Sequence, residues 1–220
     1  MKTFENFEVL PANRLAHRAA DKICKYPGTY NPLYIFGTSG TGKTHLLMAI
    51  ANQFQNSGKT VGHLSCQQFF VEMISAIKNG TTIEFRAKYY DADIVLIDGV
   101  QYIDGKEATQ GELFTILEKR LHDGKQTVFA GSTPPSQIAL WNSELSACLT
   151  GGLCVEIHTL NFEETAKIVA GKLKVHGMDW PVEACQYVAL NIVSNHNQID
   201  GEINKIAFLN GLHNKEIGDV

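Results

Sequence analysis

Arginine is almost missing from this chain: there are four in 220 residues, Arg14, Arg18, Arg86 and Arg120, and none follows residue 120. Chemistry in the C-terminal part that needs a planar, permanently charged guanidinium has none to draw on. Positive charge is scarce overall. The net charge is −4 and the pI about 6.1, which excludes a global basic field; any nucleic-acid contact must come from a local patch. No run of 18 apolar residues occurs, so no membrane-spanning segment is expected and no membrane partner is implied. Met1-Lys2-Thr3-Phe4-Glu5-Asn6 lacks the apolar core of a signal peptide. The five cysteines, Cys24, Cys66, Cys148, Cys154 and Cys185, are scattered, form no C-x-x-C and show no zinc spacing with histidine. They read as reduced, mostly buried thiols of a cytoplasmic protein. Repeats and low-complexity segments are absent too.

What is present is specific. Gly37-Thr38-Ser39-Gly40-Thr41-Gly42-Lys43-Thr44 reads G-x-x-x-x-G-K-T, a phosphate-cradling P-loop. It follows the apolar run Leu33–Phe36, which reads as a buried strand, and precedes His45–Ala51, which has helical spacing. Strand, glycine-rich turn and helix together place backbone N–H groups and a helix N-terminus around a phosphate. Lys43 is expected to reach the β/γ oxygens, and Thr44 to hold Mg²⁺ through its hydroxyl.

Beyond the P-loop, strands are expected at Thr60–Ser65, Ile94–Asp98, Thr127–Ser132 and Leu153–His158. Helices are expected at Ala12–Lys25, Gln67–Lys78, Ile83–Tyr90 and Glu107–His122. After Asn161 the strand signal ends, and three helices are expected: Phe162–His176, Pro181–Val193 and about Gln198–Leu209. Asn161 with Glu164 three residues on is a helix-start pair. Alternating strands and helices predict an α/β fold, a parallel sheet covered on both faces. A nucleotide-binding base over residues 1–160, with an N-terminal linker at 1–30, precedes a small helical subdomain at 161–220.

A P-loop enzyme needs a second carboxylate at the end of a neighbouring strand, and Ile94-Val95-Leu96-Ile97-Asp98 supplies it; Asp98 is the expected partner of Thr44 in the Mg²⁺ shell. Asn31–Gly37, Lys43–Leu47 and Leu96-Ile97-Asp98-Gly99-Val100-Gln101 together resemble the AAA+ domain of the bacterial replication initiator DnaA and its regulatory relative Hda. Thr3-Phe4-Glu5-Asn6-Phe7, Asn13-Arg14-Leu15-Ala16, Glu84-Phe85-Arg86 and Gly105-Lys106-Glu107 are similar to that family as well. The resemblance implies a five-stranded parallel sheet with flanking helices and a three-helix lid. It implies ATP or ADP with Mg²⁺ as ligand, and a linker, with Asn13, packing against the adenine. It implies a role in initiating DNA replication or regulating it, with DnaA or another replication AAA+ protein as partner. No counterpart of the family's duplex-reading helix-turn-helix domain is expected, nor is an N-terminal clamp-binding peptide evident in Met1–Leu10.

The departures from the family concern turnover. A second acid usually follows the strand carboxylate; here Gly99 stands there. The arginine finger falls at Cys148, in Ser146–Gly152, and the lid sensor arginine at Asn197, in Ser194–Gly201. Ser132 occupies the first-sensor region. No catalytic residue is therefore assigned, and Asp104, Glu107 and Lys205 are only weak substitutes. A guanidinium clamp is worth about 10³–10⁵ in rate. The expectation is an ATP- or ADP-binding protein with weak or no hydrolysis; the alternatives are a helicase-loader-type ATPase and the isolated AAA+ domain of a divergent initiator. By resemblance, Ile74, Lys106 and Thr109 sit where the family contacts single-stranded DNA. Ala108 replaces an often basic position there, while Lys78, Arg86 and Lys88 add local positive charge.

Overall fold

The computed structural model describes residues 2–138, 140–192 and 196–218. The chain divides into two units, Met1–Thr38 with Gly42–Ile157, and Ser39–Thr41 with His158–Val220. The first unit runs α1 (Arg14–Lys25), β1 (Leu33–Phe36), α2 (Lys43–Asn56), β2 (Val61–Ser65), α3 (Cys66–Asn79), α4 (Thr82–Asp91) and β3 (Ile94–Asp98). A short 3-10 turn (Val100–Ile103) follows, then α5 (Glu107–His122), β4 (Gln126–Gly131), α6 (Ser143–Thr150) and β5 (Leu153–Glu156). The five strands form one parallel sheet in the order β2-β3-β4-β1-β5.

The apolar runs of β1 and β3, and the complete burial of β4, follow from the covering of both faces of the sheet. Alternate residues go to opposite cores. Leu33, Ile35, Ile94, Leu96, Val128 and Ala130 pack with Ile23, Leu46, Leu47 and Ile50 of α1 and α2. Tyr34, Val95, Ile97 and Phe129 pack on the other face with Phe69, Met73, Phe85, Tyr89 and Leu117. Each such Leu or Ile contributes roughly 1.5–3 kcal/mol, so sheet register is strongly specified.

Arg120 has no exposed surface. Its guanidinium donates to the carbonyls of Tyr89 (2.5 Å), Ala92 (2.8 Å) and Gln126 (2.7 Å) and to the Thr127 hydroxyl (3.0 Å). It thereby closes the end of α4 against the start of β4. Two other scarce cations are spent in ion pairs: Arg86 is bidentate to Glu112, both bonds 2.7 Å, and Lys88 meets Glu72 at 2.6 Å.

Helix α6 was not expected from the sequence. Its eight residues are too few for a visible period, and only the Asn142 carboxamide, accepting from the Glu144 and Leu145 N–H groups, marks its start. The second unit carries α7 (Phe162–Val175), α8 (Val182–Leu190) and α9 (His196–Gly218). Helix α7 opens on the expected capping box of Asn161 and Glu164. Lys172 of α7 pairs with Asp200 of α9 at 2.5 Å. Helix α9 extends well past the expected Leu209: no proline interrupts it, and it runs through both Gly201 and Gly211. Val193, Ser194 and Asn195, part of the expected helix end and lid sensor segment, lie outside the described residues, as does the side chain of Asn197.

Candidate nucleotide site

The P-loop leaves β1 and enters α2, at the C-terminal edge of the parallel sheet where such folds bind ligands. No side chain caps α2, whose preceding residue, Gly42, has φ +103°. A Cβ at Gly42 would stand 3.2 Å from the Phe7 ring, so both the angle and the close approach require glycine. Within the loop Gly37 and Thr41 are buried and Thr38 and Ser39 exposed, with Gly40 between. The Lys43 ammonium folds back on the loop, donating to the carbonyls of Gly37 (2.6 Å) and Thr38 (2.7 Å). Burial lowers its pKa, opposed by the Asp98 carboxylate. A phosphate oxygen offers this half-buried cation a stronger partner than either carbonyl.

The Thr44 hydroxyl donates to Asp98 Oδ2 at 2.6 Å across 54 residues of sequence. Asp98 ends β3, beside Ala130 of β4 in register, and β4 separates β3 from β1. The two expected Mg²⁺ oxygens are thus adjacent, and their donor set suits a hard cation. Among the described residues no group of three or more His, Cys, Asp or Glu could hold a metal. Two protein oxygens alone make an incomplete octahedron, so phosphate and water must supply the rest.

Gly99 follows with φ +75° and ψ +42°, the left-handed region. Its N–H donates to the Ala130 carbonyl at 2.9 Å. No carboxylate can project from this position. Asp104 and Glu107 are exposed, beyond the 3-10 turn. Ser132, in the first-sensor region, donates its N–H to Gln101 Oε1 at 3.2 Å, tying the end of β4 to the loop after Asp98. Cys148 is a half-buried residue of α6 packed on the core, its thiol pKa raised by desolvation and then by Glu118. It is a neutral group at the finger position.

The N-terminal linker is held by polar and aromatic contacts that sequence patterns did not reveal. Asn13 is buried; its carboxamide donates to the Glu8 carbonyl (2.9 Å) and accepts from the Leu10 N–H (2.9 Å). It shapes the linker turn. Phe7 stacks on His17, with centroids 5.7 Å apart, and meets His45 edge-on at 5.1 Å. His45 Nε2 lies 2.9 Å from the Thr3 carbonyl. His45 therefore anchors the linker to the helix that follows the P-loop. Aromatic residues at such i, j separations carry no local signal, which is why this cluster was missed.

Of the residues expected to meet single-stranded DNA, two share a surface. Ile74 of α3 is half-buried, and Lys106 precedes α5 with its Nζ 4.3 Å from the Tyr102 ring centroid and 5.8 Å from that of Phe70. Thr109 is placed otherwise: it is 1% exposed, on the inner face of α5, so its hydroxyl does not reach that surface. The positive charge expected there from Arg86 and Lys88 is largely neutralised by Glu112 and Glu72. Lys78 lies in the last turn of α3 and is exposed.

A family model described as the bacterial DnaA ATPase domain matches residues 1–156. Among similar solved structures, AMPPCP-bound DnaA from Aquifex aeolicus is 35% identical, with a TM-score of 0.90, over 99% of this chain and 69% of that one. A replication initiator DnaA bound to AMPPCP and single-stranded DNA is 35% identical, with a TM-score of 0.91, over 99% of this chain and 68% of its own. Domain III of the Thermotoga maritima replication initiation protein DnaA is 34% identical, with a TM-score of 0.91, over 97% of this chain and 90% of its own.

Proposed function

Because this chain belongs to the bacterial DnaA ATPase-domain family, the AAA+ nucleotide-binding module of replication initiation, we propose that it holds Mg²⁺-ATP or ADP firmly and hydrolyses it slowly or not at all. The observation that carries this is the contrast at the end of β3. Asp98 keeps its bond to Thr44 at 2.6 Å, while the next residue is a glycine with φ +75°. The Gly37–Thr44 loop supplies donors for the phosphates, and Lys43 supplies the charge. Thr44 and Asp98 would hold Mg²⁺, which when bound would neutralise phosphate charge. The linker with Asn13 would border the adenine. Turnover lacks three aids: an acid at Gly99 to orient water, a finger cation at Cys148, and a guanidinium at Asn197. Each is a separate loss, and the finger alone accounts for about 10³–10⁵ in rate.

Such a protein acts by occupying one face of a DnaA-type interface in initiation or its control. It offers nucleotide to a neighbour and no arginine finger in return, so self-assembly bridged by ATP is weak. Residues 161–220 would form the lid. The DnaA structure solved with single-stranded DNA supports a second contact here, through Ile74 and Lys106, with Thr109 bracing α5 from beneath. Calorimetry of Mg²⁺-ATP and Mg²⁺-ADP tests the central reading. Micromolar or tighter binding, lost in Lys43→Ala, is expected. No heat with either nucleotide on folded protein overturns it.

A further inference from the structure

Helix α1 is a basic segment in an acidic chain. Its 12 residues carry Arg14, Arg18, Lys22 and Lys25 against the single acid Asp21, while the whole chain has a net charge of −4. At about 100° per residue the four cations fall within roughly 80° of the helix circumference. The other side, Ala16, Ala19, Ala20 and Ile23, is buried with α2 against the sheet. Asp21 is taken by Lys25 at 2.8 Å, and Lys22 lies over the Tyr26 ring, 4.5 Å from its centroid. Arg14 and Arg18 are exposed, and among the described residues their side chains have neither an ion pair nor a hydrogen bond. This row works against the helix that carries it. Arg14 with Arg18, and Arg18 with Lys22, are like charges at i,i+4, a destabilising arrangement. Arg14 stands in a first turn that holds no acid, at the end where the helix dipole favours one. Arg86 and Arg120 are spent on partners, so two of the four arginines stand free in one row. Local choices that oppose stability are expected at functional surfaces.

We propose that α1 docks on the phosphate backbone of duplex DNA, independently of base sequence and of bound nucleotide. From Arg14 to Lys22 the row is about 12 Å long. One strand of a duplex carries a charge every ~3.4 Å of its axis, so three cations meet three or four phosphates. The duplex holds those charges at fixed spacing, and the buried side of α1 holds the row rigid, so little is ordered on contact. A single strand or an acidic peptide would have to be ordered first. An anionic membrane fits less well. An interfacial helix buries an apolar face in the lipid; that of α1 is already in the core, leaving only Leu15 and Tyr26 exposed. Helix α1 covers one face of the sheet, and α3 and α5 pack on the other. The duplex contact is therefore separate from the surface of Ile74 and Lys106, and it does not rest on the reading of the nucleotide site.

The test is fluorescence anisotropy of a labelled duplex of arbitrary sequence, titrated with the full chain at several salt concentrations without nucleotide. Log K should fall with log salt at a slope of about −2.7, the value for three phosphates. Arg14→Gln/Arg18→Gln should weaken low-salt binding about tenfold or more and reduce the slope by about 1.8. Its thermal midpoint should hold or rise, because like charges leave the helix. Arg14→Lys/Arg18→Lys should keep the wild-type slope. Lys167→Gln/Lys174→Gln removes the same charge from exposed positions of α7 and should bind as the wild type does. Equal loss in that α7 variant overturns the proposal, since net charge alone would then govern binding. A wild-type slope near zero, or one unchanged in the α1 glutamine variant, overturns it too. Binding to phosphatidylglycerol vesicles with none to the duplex overturns it in favour of a membrane surface. Oligo-dT binding with Mg²⁺-ATP should be untouched by the α1 variant; equal weakening of oligo-dT and duplex overturns the assignment to duplex.

Discussion

Gly99→Asp returns an acid to the position after Asp98 and tests whether its loss limits turnover. The structural cost can be bounded. Residue 99 has φ +75° and ψ +42°, where an L-residue is strained by about 1–2 kcal/mol, with Asp and Asn among the residues that tolerate it best. A Cβ there meets only Gln101 Nε2 at 3.9 Å, an ordinary contact, so nothing is added by crowding. Against a total stability of about 5–15 kcal/mol the variant stays folded. Positioned general acid–base groups contribute about 10²–10⁴ in rate. Single-turnover hydrolysis of Mg²⁺-ATP, with protein in excess and free of contaminating ATPase, should therefore rise by that factor in Gly99→Asp. Gly99→Asn is the matched control, with the same backbone angle, nearly the same shape and no acid; it should stay at the wild-type rate. On the proposed reading the gain still leaves turnover slow, because a guanidinium clamp is worth about 10³–10⁵ in rate. Wild-type turnover already at the Gly99→Asp rate would refute the reasoning. So would an aspartate variant that binds ATP normally and hydrolyses it no faster than the asparagine one.

Other expectations follow from the same contacts. Asp98→Asn should weaken Mg²⁺-dependent ATP binding more than metal-free binding, measured by calorimetry with and without chelator, since it removes a charged oxygen beside Thr44. Arg120→Leu should cost about 3–5 kcal/mol by urea unfolding, because it strands the Tyr89, Ala92 and Gln126 carbonyls in the interior; an unchanged midpoint would refute the staple. Burial lowers the His17 pKa from 6.5, partly offset by Asp21, so the folded state binds fewer protons there than the unfolded chain. Stability from this group is complete above pH 6.5 and is lost as the pH falls through the lower folded value. The thermal midpoint should drop on acidification from pH 7 to 5.5, and less steeply in His17→Gln.

How much of this was legible before the structure depends on how local each signal is. The P-loop, the apolar strand β3 with its terminal Asp98, and the Asn161/Glu164 helix start are all written in contiguous residues, and each is found where the sequence places it. The shorter helix α6 has no full period to read. Thr109 sits two residues before Gly111 on a helix with a weak polar–apolar contrast, so its inward direction is set by the rotation of α5 against the sheet. The Phe7, His17 and His45 cluster and the Lys106, Tyr102 and Phe70 cluster join elements far apart in sequence, and neither leaves a spacing to detect.

The amino-acid order alone determined that this chain builds a P-loop between a strand and a helix and that a carboxylate ends a buried parallel strand; the resemblance to the DnaA family added that glycine, cysteine and asparagine stand where turnover groups are expected. These are properties of single segments. Tertiary structure alone decided which cations remain available, since Arg86, Lys88 and Arg120 are consumed by partners 26, 16 and up to 31 residues away. It also decided that Lys106 lies on two rings rather than against an acid. Strand order and helix rotation govern those meetings, and both are set by burying two apolar faces of one sheet at once, a condition no local stretch of sequence contains.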